Sequence, residues 1–352
     1  MARKLMQIFD NPYQGQGMAM PDIPAPSTDN QTPSRLLEQC PAHGTTPMID
    51  AAGLAQRLGV ARVYVKDERA RMGLGSFKAL GAAYVIAHEA VQSGGDLATA
   101  LTGRCYVTAS AGNHGLSVAA GARIFGARAV VYLSETVPEG FAARLRAKGA
   151  EVLRAGHDYE ASMQAAFEGA EQNGWTLLSD SSWEGYTDLP YRLMEGYLRL
   201  AEECTQQMDT PTHILLQAGV GGLAGACAGF FRKVYGAGPR IIVVEPDAAP
   251  ALYESIQAGH AVETHGPVSS MGRLDCKAPS LIALKGLSKD ASAFALITER
   301  EAAQAMPVLM AEGLETTPSG GAGLASALAD PAALGLGPDS RVLAILSEEP
   351  EA

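Results

Sequence analysis

Between Ala61 and Leu346, short apolar runs with strand character alternate with stretches of helical period. That alternation limits the chain to few architectures. Strands are expected at 61–66, 104–110, 127–133, 151–154, 175–178, 213–217, 240–244 and 342–346. Helices are expected from Lys78 onward, after Gly115, over 138–148, 158–172 and 190–206, and from a glycine-rich turn to about Tyr235. Thr298-Glu299-Arg300-Glu301 has the spacing of a capping box and opens a further helix toward Leu309. Such a pattern predicts an α/β fold of two open, twisted, mostly parallel sheets flanked by helices. At 352 residues the chain exceeds one ordinary core. Residues 1–45, polar and carrying Pro21, Pro24, Pro26 and Pro33, read as an arm over the body with little regular structure.

Several classes of function are excluded early. A formal net charge of -11 argues against nucleic acid as a partner, because phosphate neutralisation needs a basic footprint. No apolar run is long enough to span a bilayer, so no membrane partner is expected. Met1 to Met6 lacks the apolar core of a secretory signal, which points to the cytoplasm. The five cysteines are scattered and form no CxxC pair, and no histidine spacing suggests a metal.

Ligands of open sheets bind at the carboxyl ends of strands, and three turns at such ends carry distinctive residues. Gly75-Ser76-Phe77-Lys78 delivers one lysine to the start of an apolar helix. Desolvation there would lower its pKa toward the neutral amine that attacks a carbonyl. Ala111-Gly112-Asn113-His114-Gly115 is the second turn. The third, Gln217-Ala218-Gly219-Val220-Gly221-Gly222-Leu223, presents bare amides at a helix start, a phosphate cradle. The cradle admits two readings. Gly219-x-Gly221-x-x-Ala224, with Glu245 closing the next strand, fits a dinucleotide fingerprint and a nicotinamide oxidoreductase. A single-phosphate cofactor with an aldehyde uses all three turns: Lys78 on the aldehyde, Asn113 beside a ring hydroxyl, the glycines on the phosphate. That cofactor is pyridoxal 5′-phosphate.

The sequence resembles the fold-type II pyridoxal-phosphate enzymes, the group of tryptophan synthase β and threonine dehydratase. Within that group it looks like the diaminopropionate ammonia-lyases. The matching stretches are Val65-Lys66-Asp67-Glu68, Phe77-Lys78, Gly112-Asn113-His114-Gly115, Asp180 with Trp183-Glu184-Gly185-Tyr186, Leu216 to Gly221, and Val244-Glu245-Pro246-Asp247. They run from about residue 46 to 348. The resemblance implies a large domain (46–85 and 195–352), a smaller mobile one (86–194) carrying Asn113, a cofactor between them, and a homodimer. Lys78 would be the Schiff-base lysine and Asn113 the partner of the ring oxygen. Gly219, Val220, Gly221, Gly222 and Leu223 would hold the phosphate, and Ser347 would meet the pyridine nitrogen, with Glu348 and Glu349 as neighbours that complicate this. Asp180 stands at the position of a carboxylate serving the L-isomer, with capping of its turn as the alternative.

One departure is informative. Diaminopropionate ammonia-lyases carry an aspartate where this chain has Ala111, proposed as base for the D-isomer, and alanine moves no proton. Ser110 is adjacent but points the other way in an extended backbone. Racemisation and D-isomer turnover are therefore not expected. Ser110, Ala111, Trp183 and Tyr186 would line the substrate pocket. In the loop Ser269 to Lys277, small residues of the family give way to Arg273, Asp275 and Lys277, which either read a second charged group on the substrate or form a solvated face. The resemblance implies a lyase that eliminates a β-amino or β-hydroxyl group from an L-amino acid to give a 2-oxo acid and ammonia. A threonine/serine-type dehydratase and a β-replacement synthase are the related alternatives.

Overall fold

The computed structural model describes residues 6–351. In chain order they form β1 (Gln7–Asp10), α1 (Gln31–Leu37), β2 (Met48–Asp50), α2 (Ala52–Leu58), β3 (Arg62–Asp67), α3 (Lys78–Ser93), β4 (Cys105–Ala109) and α4 (Asn113–Ile124). Next come β5 (Arg128–Leu133), α5 (Glu139–Ala147), β6 (Glu151–Arg154), α6 (Tyr159–Asn173), β7 (Thr176–Leu177) and α7 (Asp188–Gln207). The last third holds β8 (His213–Gln217), α8 (Gly222–Tyr235), β9 (Arg240–Pro246), α9 (Ala251–Ala258), α10 (Leu281–Asp290), β10 (Ala293–Ile297), α11 (Glu299–Ala311), α12 (Ala322–Ala329) and β11 (Arg341–Leu346).

Two sheets result, as the alternation predicts. The larger has seven strands in the order β1-β10-β9-β8-β11-β3-β2, parallel except for the antiparallel edges β1 and β2. The smaller has four parallel strands in the order β6-β5-β4-β7. Inner strands such as β9 are buried along nearly their whole length, because helices cover both faces of a parallel sheet.

The chain leaves the large sheet through α3 and returns through α7, and these helices cross closely. A Cβ on Gly196 would lie 2.4 Å from the Leu80 carbonyl oxygen, and one on Gly81 would lie 2.8 Å from the Tyr197 ring. Glycine at both positions is thus what lets the two crossovers touch. Behind them lies a buried ionic cluster. Arg71 bonds Glu68 (2.6 Å) and Glu203 (2.7 Å), Lys66 bonds Glu203 (2.7 Å), and all four are fully or almost fully buried. The Thr46 hydroxyl donates to Glu68 Oε1 at 2.6 Å. The cluster joins β3, the segment before β2 and α7.

The expectation for residues 1–45 needs correction. Gln7–Asp10 is an edge strand registered on β10, and Gln31–Leu37 is a helix. The Asn11 amide donates to the Ser288 and Ala291 carbonyls at 2.8 Å, and Lys285 Nζ donates to the Met20 carbonyl at 2.8 Å. Polar, proline-bearing sequence therefore gains regular structure here by pairing with β10 and by packing α1 on α7, where the Asn30 amide donates to Glu202 at 2.7 Å. Residues 1–5 of that arm lie outside the described residues. The capping box at Thr298 is present, with Glu301 Oε2 accepting from the Thr298 N–H at 2.8 Å.

Candidate active site

Lys78 is the first residue of α3. Its turn is clasped by the segment after β11: the Phe77 N–H donates to the Ser347 carbonyl (3.1 Å) and the Glu349 N–H to the Gly75 carbonyl (2.9 Å). From α4, the Ser117 hydroxyl donates to the Lys78 carbonyl at 2.9 Å. The lysine's Nζ is hydrogen-bonded to Asp180 Oδ2, and both side chains remain about one fifth exposed, at 22% and 21%. Burial opposes the ammonium, but the Asp180 charge and hydrogen bond outweigh it and hold Lys78 above the ordinary lysine value. Conversely, burial alone would raise Asp180, yet Lys78 keeps it well below the carboxylate range. Apolar neighbours in sequence pointed to a neutral amine; the carboxylate brought from beyond β7 reverses that.

The other loops converge on this pair. Backbone of the Asp180 segment lies beside Gly222, where a Cβ would stand 3.9 Å from the Asp180 carbonyl oxygen. The Ser182 and Ser280 hydroxyls are 2.7 Å apart, and the Ser280 N–H donates to the Val220 carbonyl at 2.9 Å. Gly221 caps α8 at φ 97°, a left-handed conformation costly for any side chain. A Cβ on Gly219 would lie 2.9 Å from Cys276 Sγ, so the loop keeps its bare backbone by necessity. Gly222 and Leu223 open α8, and the N–H groups of a first helical turn have no acceptor within the helix. Together they offer free N–H groups at a positive helix end, an arrangement that attracts anions.

Asn113 opens α4, and its amide donates to Glu348 Oε2 at 2.6 Å. The other oxygen of Glu348 accepts from the Thr317 hydroxyl. Glu348 is 4% exposed, and burial raises its pKa. So of the acids beside Ser347, Glu348 is engaged with Asn113. Ser347 itself is 5% exposed, at the end of β11. The Ser110 hydroxyl accepts from the Gly112 N–H (3.3 Å), and Ala111 packs partly buried on the core. His114 is buried with its Nε2 2.8 Å from the Leu178 carbonyl, and burial lowers its pKa, so it braces the turn.

Trp183 and Tyr186 stack at 4.3 Å between centroids across a tight hairpin. The Tyr186 hydroxyl donates to the Leu177 carbonyl (2.8 Å) and accepts from the Ser179 N–H (3.1 Å), which fixes the Asp180 turn. Asp275 bonds Lys277 at 2.5 Å and accepts from the Ser269 N–H at 3.2 Å. Burial pushes the Cys276 thiol up to about 12, an inert state.

Sequence reasoning missed two neighbours, Tyr159 and Tyr197. Tyr159, at the start of α6, is 59% exposed overall, yet burial around its hydroxyl and then the Asp180 charge raise its pKa. Tyr197 packs edge-on against Phe77 at 5.0 Å, and its buried hydroxyl has no hydrogen-bond partner among the described residues. Arg273 lies against Gly112. Only packing across sequence-distant elements brings the two tyrosines to the pair. The ribose reading of Glu245 fails: its carboxylate is fully buried and accepts the Leu252 (2.8 Å) and Tyr253 (2.7 Å) N–H groups of α9. That environment pushes it up to about 8 through burial, so no ribose is held there.

Among the described residues there is no group of three metal-ligating side chains, and no helix is long and apolar enough to cross a membrane. A profile of the family described as pyridoxal-phosphate dependent enzyme matches residues 40–348. A diaminopropionate ammonia-lyase of Escherichia coli (strain K12) is 35% identical over 280 residues, 75% of this chain and 70% of the relative. An L-threonine ammonia-lyase of Geobacter sulfurreducens is 28% identical over 268 residues, covering 75% of this chain and 61% of the relative. The crystal structure of the Escherichia coli diaminopropionate ammonia-lyase with an aminoacrylate-PLP azomethine intermediate superposes with TM-score 0.87 and 31% identity. That superposition covers 98% of this chain and 94% of the other.

Proposed function

The chain belongs to the pyridoxal-phosphate dependent enzyme family, and on that premise we propose that it is a lyase. It eliminates a β-amino or β-hydroxyl group from an L-amino acid and yields a 2-oxo acid and ammonia. The observation that supports this best is the Lys78–Asp180 pair beside a bare-backbone glycine loop at a helix start.

The donor set fits the cofactor: a lysine amine, a crowded loop with bare amides at a helix start, and an unpartnered Tyr197 hydroxyl beside them. When bound, the cofactor supplies an aldehyde for the substrate amine and a ring that takes up the electrons of the Cα–H bond. In this reading Gly219, Val220, Gly221, Gly222 and Leu223 hold the phosphate through main-chain N–H groups. Asn113, oriented by Glu348, faces the ring oxygen, and the Ser347 hydroxyl faces the pyridine nitrogen. A hydroxyl does not keep that nitrogen protonated as a carboxylate would, which favours elimination over transamination.

Lys78 Nζ takes the Cα proton, and to do so it first gives up its own. Asp180 Oδ2 is the atom placed to receive that proton and then to pass it to the departing amine or hydroxyl. Two protons thus move by way of one ion pair. Ala111 offers no base on the second face, so turnover is confined to L-substrates. It also leaves no carboxylate there for a β-ammonium, which favours a β-hydroxy substrate as the second reading. Ser110 and Trp183 border the substrate, and Tyr186 holds the Asp180 turn. We further propose that residues 86–194 close as a unit against 46–85 and 195–352, excluding water from the reaction. The working form is a cytoplasmic homodimer.

The test is the visible spectrum of purified protein with cofactor, for wild type and Lys78→Ala, followed by a panel of L- and D-β-substituted amino acids. A long-wavelength band altered in the variant, with oxo-acid release from L-substrates only, is expected. Protein that takes up no cofactor would refute the reading, and turnover of D-isomers would refute the role given to Ala111.

A further inference from the structure

Arg273 bridges the two walls of the cleft. Its main-chain N–H donates to the Ser319 hydroxyl at 3.0 Å, and its carbonyl oxygen lies beside Gly219, 3.1 Å from where a Cβ would stand. Its side chain crosses to the opposite wall, where a Cβ on Gly112 would sit 3.4 Å from Nε. That places a guanidinium against Gly112, the residue between Ala111 and Asn113.

The hydrogen bonding of this arginine is unfinished. Its Nε is buried and has no acceptor among the described residues. The carboxylate facing it, Glu348 Oε2, stays 3.6 Å away and is engaged by Asn113 at 2.6 Å. Nη2 bonds Glu351 at 3.1 Å, but that carboxylate is 61% exposed, and exposed ion pairs are worth roughly 1 kcal/mol or less. The other charges of the loop are satisfied internally: Lys277 bonds Asp275 (2.5 Å) and the Ala248 and Pro267 carbonyls (2.9 and 2.8 Å). Arg273 is therefore the loop's cation with donors left for a planar anion.

We infer that Arg273 receives a second carboxylate of the substrate, so that the preferred substrate is a dicarboxylic L-amino acid with its leaving group on the β-carbon. This rests on the lyase reading above and names its substrate class. A compound with a hydroxyl and a carboxylate on the β-carbon meets both requirements: Asp180 protonates the departing hydroxyl while Arg273 holds the carboxylate. Water leaves in elimination and is taken up again in hydrolysis, so the net products are a 2-oxo dicarboxylic acid and ammonia. A β-ammonium group in the same place would meet the guanidinium and be repelled.

The holoenzyme, Arg273→Gln and Arg273→Lys would be compared on L-threo-3-hydroxyaspartate, L-serine and L-2,3-diaminopropionate, reading kcat/KM from ammonia release. In parallel, calorimetry would give the Kd of L-aspartate and of L-alanine, which carry the same contrast without a leaving group. Wild type should favour the dicarboxylate. Arg273→Gln should cut the hydroxyaspartate-to-serine ratio of kcat/KM by about 10- to 100-fold, chiefly through KM, the range expected for a hydrogen bond to a charged group. Arg273→Lys, which keeps the charge and lacks the fork, should retain part of the preference. Equal losses on all substrates would overturn the proposal, since Arg273 would then serve the carboxylate common to every amino acid. A wild type that prefers diaminopropionate would overturn it too. Should no substrate release ammonia, the lyase reading falls, and the aspartate-to-alanine ratio of Kd still decides the role of Arg273.

Discussion

Replacing Glu203 by glutamine removes the carboxylate that Lys66 and Arg71 share. Both cations are fully buried, so they are left with Glu68 as the one remaining carboxylate of the cluster. Breaking a buried pair by deleting one partner typically costs about 3–5 kcal/mol. The electrostatics give a similar figure from another direction. Burial tends to raise the carboxyl of Glu203, but Arg71 and Lys66 draw it down to about 2 from an ordinary 4.5. At about 1.4 kcal/mol per pH unit, that gap corresponds to roughly 3 kcal/mol. An unfolding entropy of about 2.1 cal/mol/K per residue over this chain converts 3–5 kcal/mol into a Tm lower by about 4–7 °C. Calorimetry of both proteins at pH 7 tests the size. The pH dependence tests the cause. A depressed carboxyl stabilises fully above its unfolded value and loses that contribution as pH falls toward the folded one. The two Tm values should therefore stay parallel down to about pH 5 and draw together below it, with roughly 1 kcal/mol of the difference gone by pH 3.5. A Tm change under 1 °C at pH 7, or a gap that widens in acid, would refute the reasoning.

Asp180→Asn should lower kcat by about 10²- to 10⁴-fold with the cofactor still bound. With its carboxylate gone, burial then dominates and the Lys78 pKa falls, which shows as faster acylation of the apoenzyme amine at neutral pH. Gly221→Ala puts a side chain at φ 97° and a Cβ 3.0 Å from Leu252. A strain of about 1–2 kcal/mol should weaken cofactor binding by about tenfold in an absorbance titration. Tyr186→Phe removes the acceptor of the Ser179 N–H and should cost about 1 kcal/mol. Faster hydrogen exchange at that N–H is the check.

The strands most visible in the sequence are those buried on both faces. His213–Gln217 ends where the sequence said, because helices flank it and turn residues bound it. β1 and β2 were not foreseen, since four- and three-residue edge strands acquire their identity from a partner. β10, Ala-Phe-Ala-Leu-Ile, suits a buried helix as well as a strand, and five residues carry no period to choose between them. The same divide runs through the site. Lys78, Asn113 and the 219–223 loop announce themselves by glycine punctuation and unusual company. Local company misled on the charge of Lys78, however, because its governing partner sits a hundred residues away. The hydrogen bonds by which Tyr186 braces the Asp180 turn, and by which Asp275 closes its own loop, are equally beyond local reading. Nothing local to Tyr159 or Tyr197 says that they lie near the Lys78–Asp180 pair.

The clasp between the Lys78 turn and the segment after β11 has a consequence for how the protein is made. Ser76 pairs with Glu348, and β11 lies between β3 and β8 at the centre of the large sheet. On the ribosome, β3 emerges early and waits for its neighbour through the synthesis of almost everything else. Until then the lysine turn has no clasp, Asn113 has no Glu348, and the middle of the sheet has a gap. Pairings this remote in sequence form late and slowly. Cofactor capture is thus a final step of biogenesis, and a nascent chain stalled before β11 would display an open sheet edge instead of a binding site.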